Sequence, residues 1–168
     1  IDIYGYSKLF SEMLLKKFQN ETGIQSIALR LFNAVGPRET NPHVIPHIFL
    51  SAKDTDIIPL GNLEPRRDYI HVDDIATAFL QVTQNRTDVN HFDIFNVGSG
   101  KEYSVIDLLK MIGNILGRDL KVEKKDDRVR TIERMHLVSD ISKIKKTIGW
   151  RPKINLEEAL LNTAKYYK

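Results

Sequence analysis

Gln25-Ser26-Ile27-Ala28-Leu29-Arg30-Leu31-Phe32 is the stretch on which the reading of this chain turns. Ile27, Leu29 and Leu31 alternate with Ala28 and Arg30, the two-residue period of a strand, and Gly36-Pro37 breaks the run. Just upstream the period changes. Leu9, Phe10, Met13, Leu14, Leu15 and Phe18 recur at three- and four-residue spacing, which predicts a helix from Tyr4 to Glu21, with Gly23 as its stop. Downstream the alternation continues. Helical patterns run from Val44 to Lys53, from Asp74 to Val82 behind an Asp73 cap, and from a Ser104 cap to Gly117. Strand patterns lie at Ile57-Ile58, Tyr69-Ile70-His71, Phe92 to Val97 and Leu120 to Lys124. Asp140 and Asn155 cap two last helices, with Gly149 ending the first and Glu158 at the capping-box position of the second. Strands alternating with helices predict an α/β class.

The chain has 168 residues, 42% hydrophobic and 28% charged, which suits a soluble domain with a real core. It contains no cysteine, so a disulfide scaffold, a zinc ribbon and a thiol nucleophile are excluded, and a reducing, cytoplasmic setting is expected. No apolar run approaches a membrane span. A net charge of +3 does not call for nucleic acid but leaves cations for an anionic small molecule. Ile1-Asp2-Ile3-Tyr4 opens almost directly into a helical pattern, so a piece of a longer protein is expected.

Tyr4 and Lys8 are four apart and share a helix face. An ammonium beside a phenol favours the phenolate, a general base for a sugar hydroxyl. Spacing alone equally describes a surface pair. Tyr6 lies two residues from Lys8 and faces elsewhere. Asp73 and Asp74 are explained by helix capping and by an exposed first turn. Gly98-Ser99-Gly100-Lys101 is not a Walker loop, since Phe95 and Glu102 stand where it needs Gly and Ser or Thr. His43 and His47 have metal-ligand spacing, but Pro46 intervenes and no Cys or carboxylate completes a set. The basic residues from Lys121 to Lys153 are interleaved with acids and lack stacking aromatics.

Five blocks carry a more specific signal: Tyr4-Gly5-Tyr6-Ser7-Lys8, Leu29 to Arg38, Arg67 to Asp74, Phe95 to Gly100, and Ser139 to Lys143 leading to Ile148-Gly149-Trp150-Arg151-Pro152. In this order they resemble the extended short-chain dehydrogenase/reductase family, closest in kind to the UDP-glucose 4-epimerase-like nucleotide-sugar epimerases and dehydratases. The resemblance covers that family's second half. The glycine-rich dinucleotide turn belongs upstream, and no two glycines here are three residues apart.

The resemblance implies the C-terminal part of a Rossmann-like parallel sheet plus a smaller substrate-binding lobe. Residues 1–36 and 67–100 would hold the sheet elements, 37–66 and 101–168 the lobe, with the N-terminal dinucleotide-binding half absent. It implies NAD as cofactor, a UDP-sugar as substrate and a homodimer when full length, with no nucleic acid or membrane partner. Tyr4 would take the sugar hydroxyl proton, Lys8 would hold the nicotinamide ribose, and Asn33, Arg67 and Arg128 would contact the substrate. Arg66 would be solvated, and Pro65 stands where the family often has Gln. Arg130 is the alternative to Arg128. The implied activity is 4-epimerisation through a 4-keto sugar, with the isolated chain inactive. The rivals are 4,6-dehydration or decarboxylation of a nucleotide sugar, and a binding module without chemistry.

Overall fold

The computed structural model describes residues 3–39, 41–125 and 134–167. Helix α1 (Ile3–Thr22) ends at Gly23, whose φ of 72° is a left-handed conformation that only a residue without Cβ adopts freely. Three residues then return the chain along α1 as strand β1 (Ser26–Leu31), so the two elements run antiparallel and pack together. The strand predicted from Gln25 to Phe32 is β1, and a second, unpredicted strand follows it. The Phe32 N–H still bonds to Val97 O at 3.0 Å, but β2 (Asn33–Val35) leaves for a different neighbour.

β1 pairs in parallel with β5 (Phe92–Val97), from Ser26↔Phe92 to Leu31↔Val97. β2 pairs in parallel with β4 (Arg66–His71), from Asn33↔Tyr69 to Val35↔His71. β3 (Ile57–Leu60) pairs in parallel with β7 (Lys121–Lys124). Two short strands complete the sheet around β4: β6 (Glu102–Ser104) is antiparallel to it and β8 (His136–Leu137) parallel. Parallel pairs joined through helices make this an α/β fold of the Rossmann-like kind.

The remaining helices are α2 (Val44–Ser51), α3 (Val72–Gln84), α4 (Val105–Leu116), α5 (Ser142–Ile148) and α6 (Leu156–Ala164). Pro46 sits in the first turn of α2, where no N–H is missed. α4 matches its signals in full, with a reciprocal Ser104–Asp107 capping box and Gly117 at φ 66°. α3 and α5 do not. His71, not Asp73, is the N-cap of α3, its Nδ1 accepting from the Asp73 N–H at 3.2 Å. Ile141 holds the N-cap position of α5, and Asp140 accepts from the Ser142 N–H at 2.9 Å. Asp74 is buried rather than exposed, because its carboxylate accepts from the N–H groups of Lys153 (3.0 Å) and Ile154 (2.9 Å).

Apolar side chains form two cores. One gathers Ile45, Ile48, Phe49, Ile58, Leu108, Ile112 and Leu160 between α2, β3, α4 and α6. The other gathers Ile70, Ala78, Phe95, Val97, Ile144 and Trp150. Strand β4 touches both, because successive side chains point to opposite faces: Tyr69 enters the first core and Ile70 the second. No helix among the described residues is long and apolar enough to cross a membrane.

Candidate functional site

The parallel β2–β4 pair forms one wall of an open cavity of about 900 Å³. Asn33 and Tyr69, paired across the strands, line it together with Arg67, Arg38, Asn62 and His47. The motif-predicted Asn33 and Arg67 are thus brought to one cavity. Asn33 is the first residue of a strand rather than a loop residue. Burial pushes the Tyr69 hydroxyl up to about 12, opposed by the nearby Arg67 charge. The two histidines are already engaged: His43 Nδ1 lies 2.5 Å from Glu39 Oε1, and His47 Nε2 lies 2.8 Å from the Pro59 carbonyl oxygen. Among the described residues no three metal-capable side chains cluster.

Arg67 is half-buried, and its Nη1 donates to the carbonyls of Arg66 (2.9 Å) and Arg134 (2.6 Å). This fixes the guanidinium beside the cavity and ties it to the chain entering β8. Its neighbour Asp68 is fully buried and accepts five hydrogen bonds. The donors are Ser99 N (2.8 Å) and Oγ (2.6 Å), Gly100 N (2.9 Å), and Ser139 N (3.1 Å) and Oγ (2.5 Å). Gly98 is required there, since a Cβ would come within 2.8 Å of Asp68 Oδ2. Arg66 is not solvated: it pairs with Glu102 at 3.3 Å and Asp107 at 3.2 Å, bracing β4 against β6 and α4. Arg128 and Arg130 lie outside the described residues.

Tyr4 and Lys8 stand on an exposed face of α1, with the Lys8 ammonium 5.1 Å from the centre of the Tyr4 ring. The helical spacing therefore does bring the pair together. Neither lines the cavity, but the level of Tyr4 along the fold can be worked out. Arg30 on β1 clamps Glu12 on α1 through two 2.7 Å hydrogen bonds. Eight residues back along α1 from that clamp is Tyr4, about 12 Å at 1.5 Å per residue. Three residues forward along the antiparallel strand is Asn33, about 10 Å. Tyr4 and Asn33 therefore stand at the same end of the α1–β1 pair, beyond the carboxyl end of β1, where open α/β sheets place their ligands.

Sequence reasoning missed Arg38, Asn62 and Tyr69 as cavity residues, whereas His43 and His47, read as structural or substrate-lining rather than metal ligands, do line it. For Arg38 the available signal was the turn Gly36-Pro37-Arg38, which puts a non-glycine residue where a turn after proline favours glycine.

A tyrosine–lysine helix thus lies along a parallel α/β sheet, level with a cavity that carries an asparagine and an arginine. The chain belongs to the family described as GDP-mannose 4,6 dehydratase, which matches residues 2–163. It is 33% identical to the dTDP-4-dehydro-6-deoxyglucose reductase of Escherichia coli, over 94% of this chain and 49% of that protein. Among solved structures it is similar to the UDP-N-acetylglucosamine 4-epimerase of Methanobrevibacter ruminantium M1 in complex with UDP-N-acetylmuramic acid. The identity is 32% and the TM-score 0.83, over 98% of this chain and 53% of that one. It is likewise similar to the UDP-glucose 4-epimerase of Thermotoga maritima with UDP-glucose, at 28% identity and TM-score 0.82, over 99% of this chain and 53% of that one. The chain spans about half the length of the relatives it matches.

Proposed function

We propose that this chain is the catalytic-tyrosine and substrate-binding half of an NAD-dependent UDP-sugar 4-epimerase. The observation that carries the reading is the Tyr4–Lys8 pair, 5.1 Å from ammonium to ring centre, standing level with Asn33 of the cavity. The paired residues fit the nicotinamide-ribose end of a dinucleotide, since a phenol and an ammonium donor share one open helix face. A bound NAD supplies a hydride acceptor and donor. The chain's own residues do the rest. Tyr4 acts as its phenolate, the form a neighbouring Lys8 ammonium favours, and takes the proton of the sugar 4-hydroxyl at its phenolic oxygen to become the neutral phenol. Asn33 orients the sugar–diphosphate. Arg67, held by the Arg134 carbonyl at the cavity wall, contacts phosphate oxygens.

Residues 1–36 and 67–100 on this reading extend the dinucleotide-binding sheet, and 37–66 with 101–168 form the substrate lobe. The homodimer is supported by α1, which buries no residue and exposes Phe10, Met13, Leu14 and Phe18. A cytoplasmic setting accords with a chain that has no cysteine. A second reading has its own support: the same site serving dehydration or keto reduction, as the family description and the 33% identical E. coli reductase suggest.

The test is turnover by the intact protein that carries this chain. Incubated with UDP-glucose and NAD, it should form UDP-galactose. Tyr4→Phe should cut that rate by about 10²–10⁴, the usual loss when a general base is removed, and Tyr6→Phe should not. Formation of a 4-keto-6-deoxy product instead would replace epimerisation by the second reading. UDP-sugar binding without turnover by the intact protein would leave only a binding module.

A further inference from the structure

We propose that Glu102 and His136 are positioning residues for the substrate: together they latch β8 onto β4 and so set the guanidinium of Arg67 in the cavity. The proposal rests on the nucleotide-sugar reading above, through Arg67 as the phosphate contact.

The first observation is what holds Arg67. Its Nη1 donates to the Arg134 carbonyl at 2.6 Å, just ahead of β8. The adjacent Arg66 N–H donates to the Met135 carbonyl at 2.7 Å. The direction of the guanidinium is therefore set by a segment that must itself lie against β4. That segment pairs with β4 only through Arg66↔His136 and Arg67↔Leu137. A strand shorter than most has little ladder of its own to offset the entropy lost on ordering it.

The second observation is a side-chain bond that crosses β4. Nδ1 of His136 lies 2.8 Å from Oε1 of Glu102 on β6. A carboxylate only accepts, so Nδ1 carries the proton and donates. β6 and β8 both pair with Arg66 and Arg67, so they lie on opposite edges of β4 and the bond spans three strands. The same Oε1 meets Arg66 Nε at 3.3 Å, while Oε2 is buried and finds no partner among the described residues. The carboxylate thus depends on Oε1, and His136 is one of its two side-chain partners there. The Glu102 side chain is 24% exposed, so water competes for it less than for a surface ion pair.

The third observation is position. The pairings Asp68↔Glu102 and Arg66↔His136 put Glu102, Arg66 and His136 on the face of β4 opposite to Arg67. Neither Glu102 nor His136 lines the cavity, so any effect on the substrate passes through another residue. Downstream, Ser139 is tied to Asp68 by its N–H and its hydroxyl. Gripped at Ser139 and again at His136, the segment presents the Arg134 carbonyl to Arg67 in one place. Without His136 the side-chain grip ends at Ser139, and the carbonyl that aims the guanidinium is held by the short ladder alone.

The experiment titrates UDP-glucose by calorimetry into the intact protein, as wild type, His136→Ala, His136→Asn and Glu102→Ala, each also combined with Arg67→Ala. His136 is 68% exposed, so its replacement should leave the fold intact. His136→Ala should weaken binding about three- to fivefold, the upper range for a partly exposed pair. Glu102→Ala should weaken it at least as much. His136→Asn, whose Nδ2 stands where Nδ1 stood, should recover most of the loss. Beside Arg67→Ala, neither alanine variant should cause a further loss, because the latch acts through that guanidinium. Wild-type affinity in His136→Ala would overturn the latch while leaving the nucleotide-sugar reading in place. An equal loss with and without Arg67 would also overturn it, as the mark of a general weakening of the fold. Wild-type affinity in Arg67→Ala would overturn the phosphate contact and the latch together. No binding of UDP-glucose by the wild-type intact protein would overturn the nucleotide-sugar reading as well.

Discussion

Asp68→Asn is the substitution whose cost the structure specifies best. The carboxylate is fully buried, and every donor around it is known. Oδ1 accepts from Ser99 N and Oγ, and Oδ2 from Gly100 N, Ser139 N and Ser139 Oγ. An asparagine amide keeps one oxygen and turns the other into a donor. Its least damaging orientation puts Nδ2 at the Oδ1 position, where the Ser99 hydroxyl can rotate to accept but the Ser99 N–H cannot. One buried N–H is then orphaned, at about 1–3 kcal/mol. The three bonds to the other oxygen lose their charge assistance, about 1 kcal/mol each. Relief from burying a charge offsets part of this, and coupled losses do not add. The expected destabilisation is about 2–4 kcal/mol.

Urea unfolding of the wild-type and variant protein reads this directly, as a lower midpoint at unchanged slope. Gly98→Ala should destabilise through the same knot, since its Cβ would press on Asp68 Oδ2 and Ser139 Oγ. Asp54→Asn, on an exposed residue, is the control and should stay within about 0.5 kcal/mol. If Asp68→Asn also unfolds within about 0.5 kcal/mol of wild type, the five-donor account of this residue is wrong.

In the intact protein, Arg67→Ala and Arg128→Ala should each weaken UDP binding about tenfold or more, with losses that do not add, as calorimetric titration will show. Acid should loosen the fold through two carboxylates. The Arg30 hydrogen bond holds Glu12 below its ordinary value against a partial burial cost, and hydrogen bonds from Ser104 do the same for Asp107, with help from Arg66. Because the folded values are depressed, this stability is present above the ordinary carboxylate range, about pH 4, and is lost as pH falls through the depressed values. Melting temperature measured between pH 3 and pH 7 should therefore drop toward the acid end, and less steeply in Glu12→Gln. The exposed apolar face of α1 should make the 168-residue chain self-associate, and Phe10→Lys with Met13→Lys should shift light scattering toward monomer.

What was legible in the sequence was local. The period of α1, the Ser104 cap of α4 and the glycine stops at Gly23, Gly117 and Gly149 all depend on residues within a turn of one another. The strand after Phe32 was not legible, because Asn33–Val35 is three residues long and pairs with a different strand from β1. β6 and β8 are too short for any period to show. Asp74 and Arg66 were misread for one reason. Charged residues are assigned to solvent by default, and their partners are distant or on another element: Lys153 and Ile154 for Asp74, Glu102 and Asp107 for Arg66. Asn33 and Arg67 were found because their motifs were specific, whereas Arg38, which closes the same block as Asn33, was given no role by it.

The block from Arg67 to Ile70 shows how scaffold and site share one strand. Side chains of a strand alternate between its two faces. Arg67 and Tyr69, two apart, both line the cavity. Asp68 and Ile70, the intervening pair, serve the other side: Asp68 ties down the loops at Ser99 and Ser139, and Ile70 fills the second core. A slip of one residue in the β2–β4 register would exchange the sets. It would put a carboxylate into the cavity and a guanidinium among five donors, so neither the cavity's charge nor the fold would survive. The register is therefore fixed from both faces at once. The bonds that hold Asp68 also hold Arg67 at the cavity, which is why a residue with no atom in the cavity stands next in sequence to one that gives it a charge.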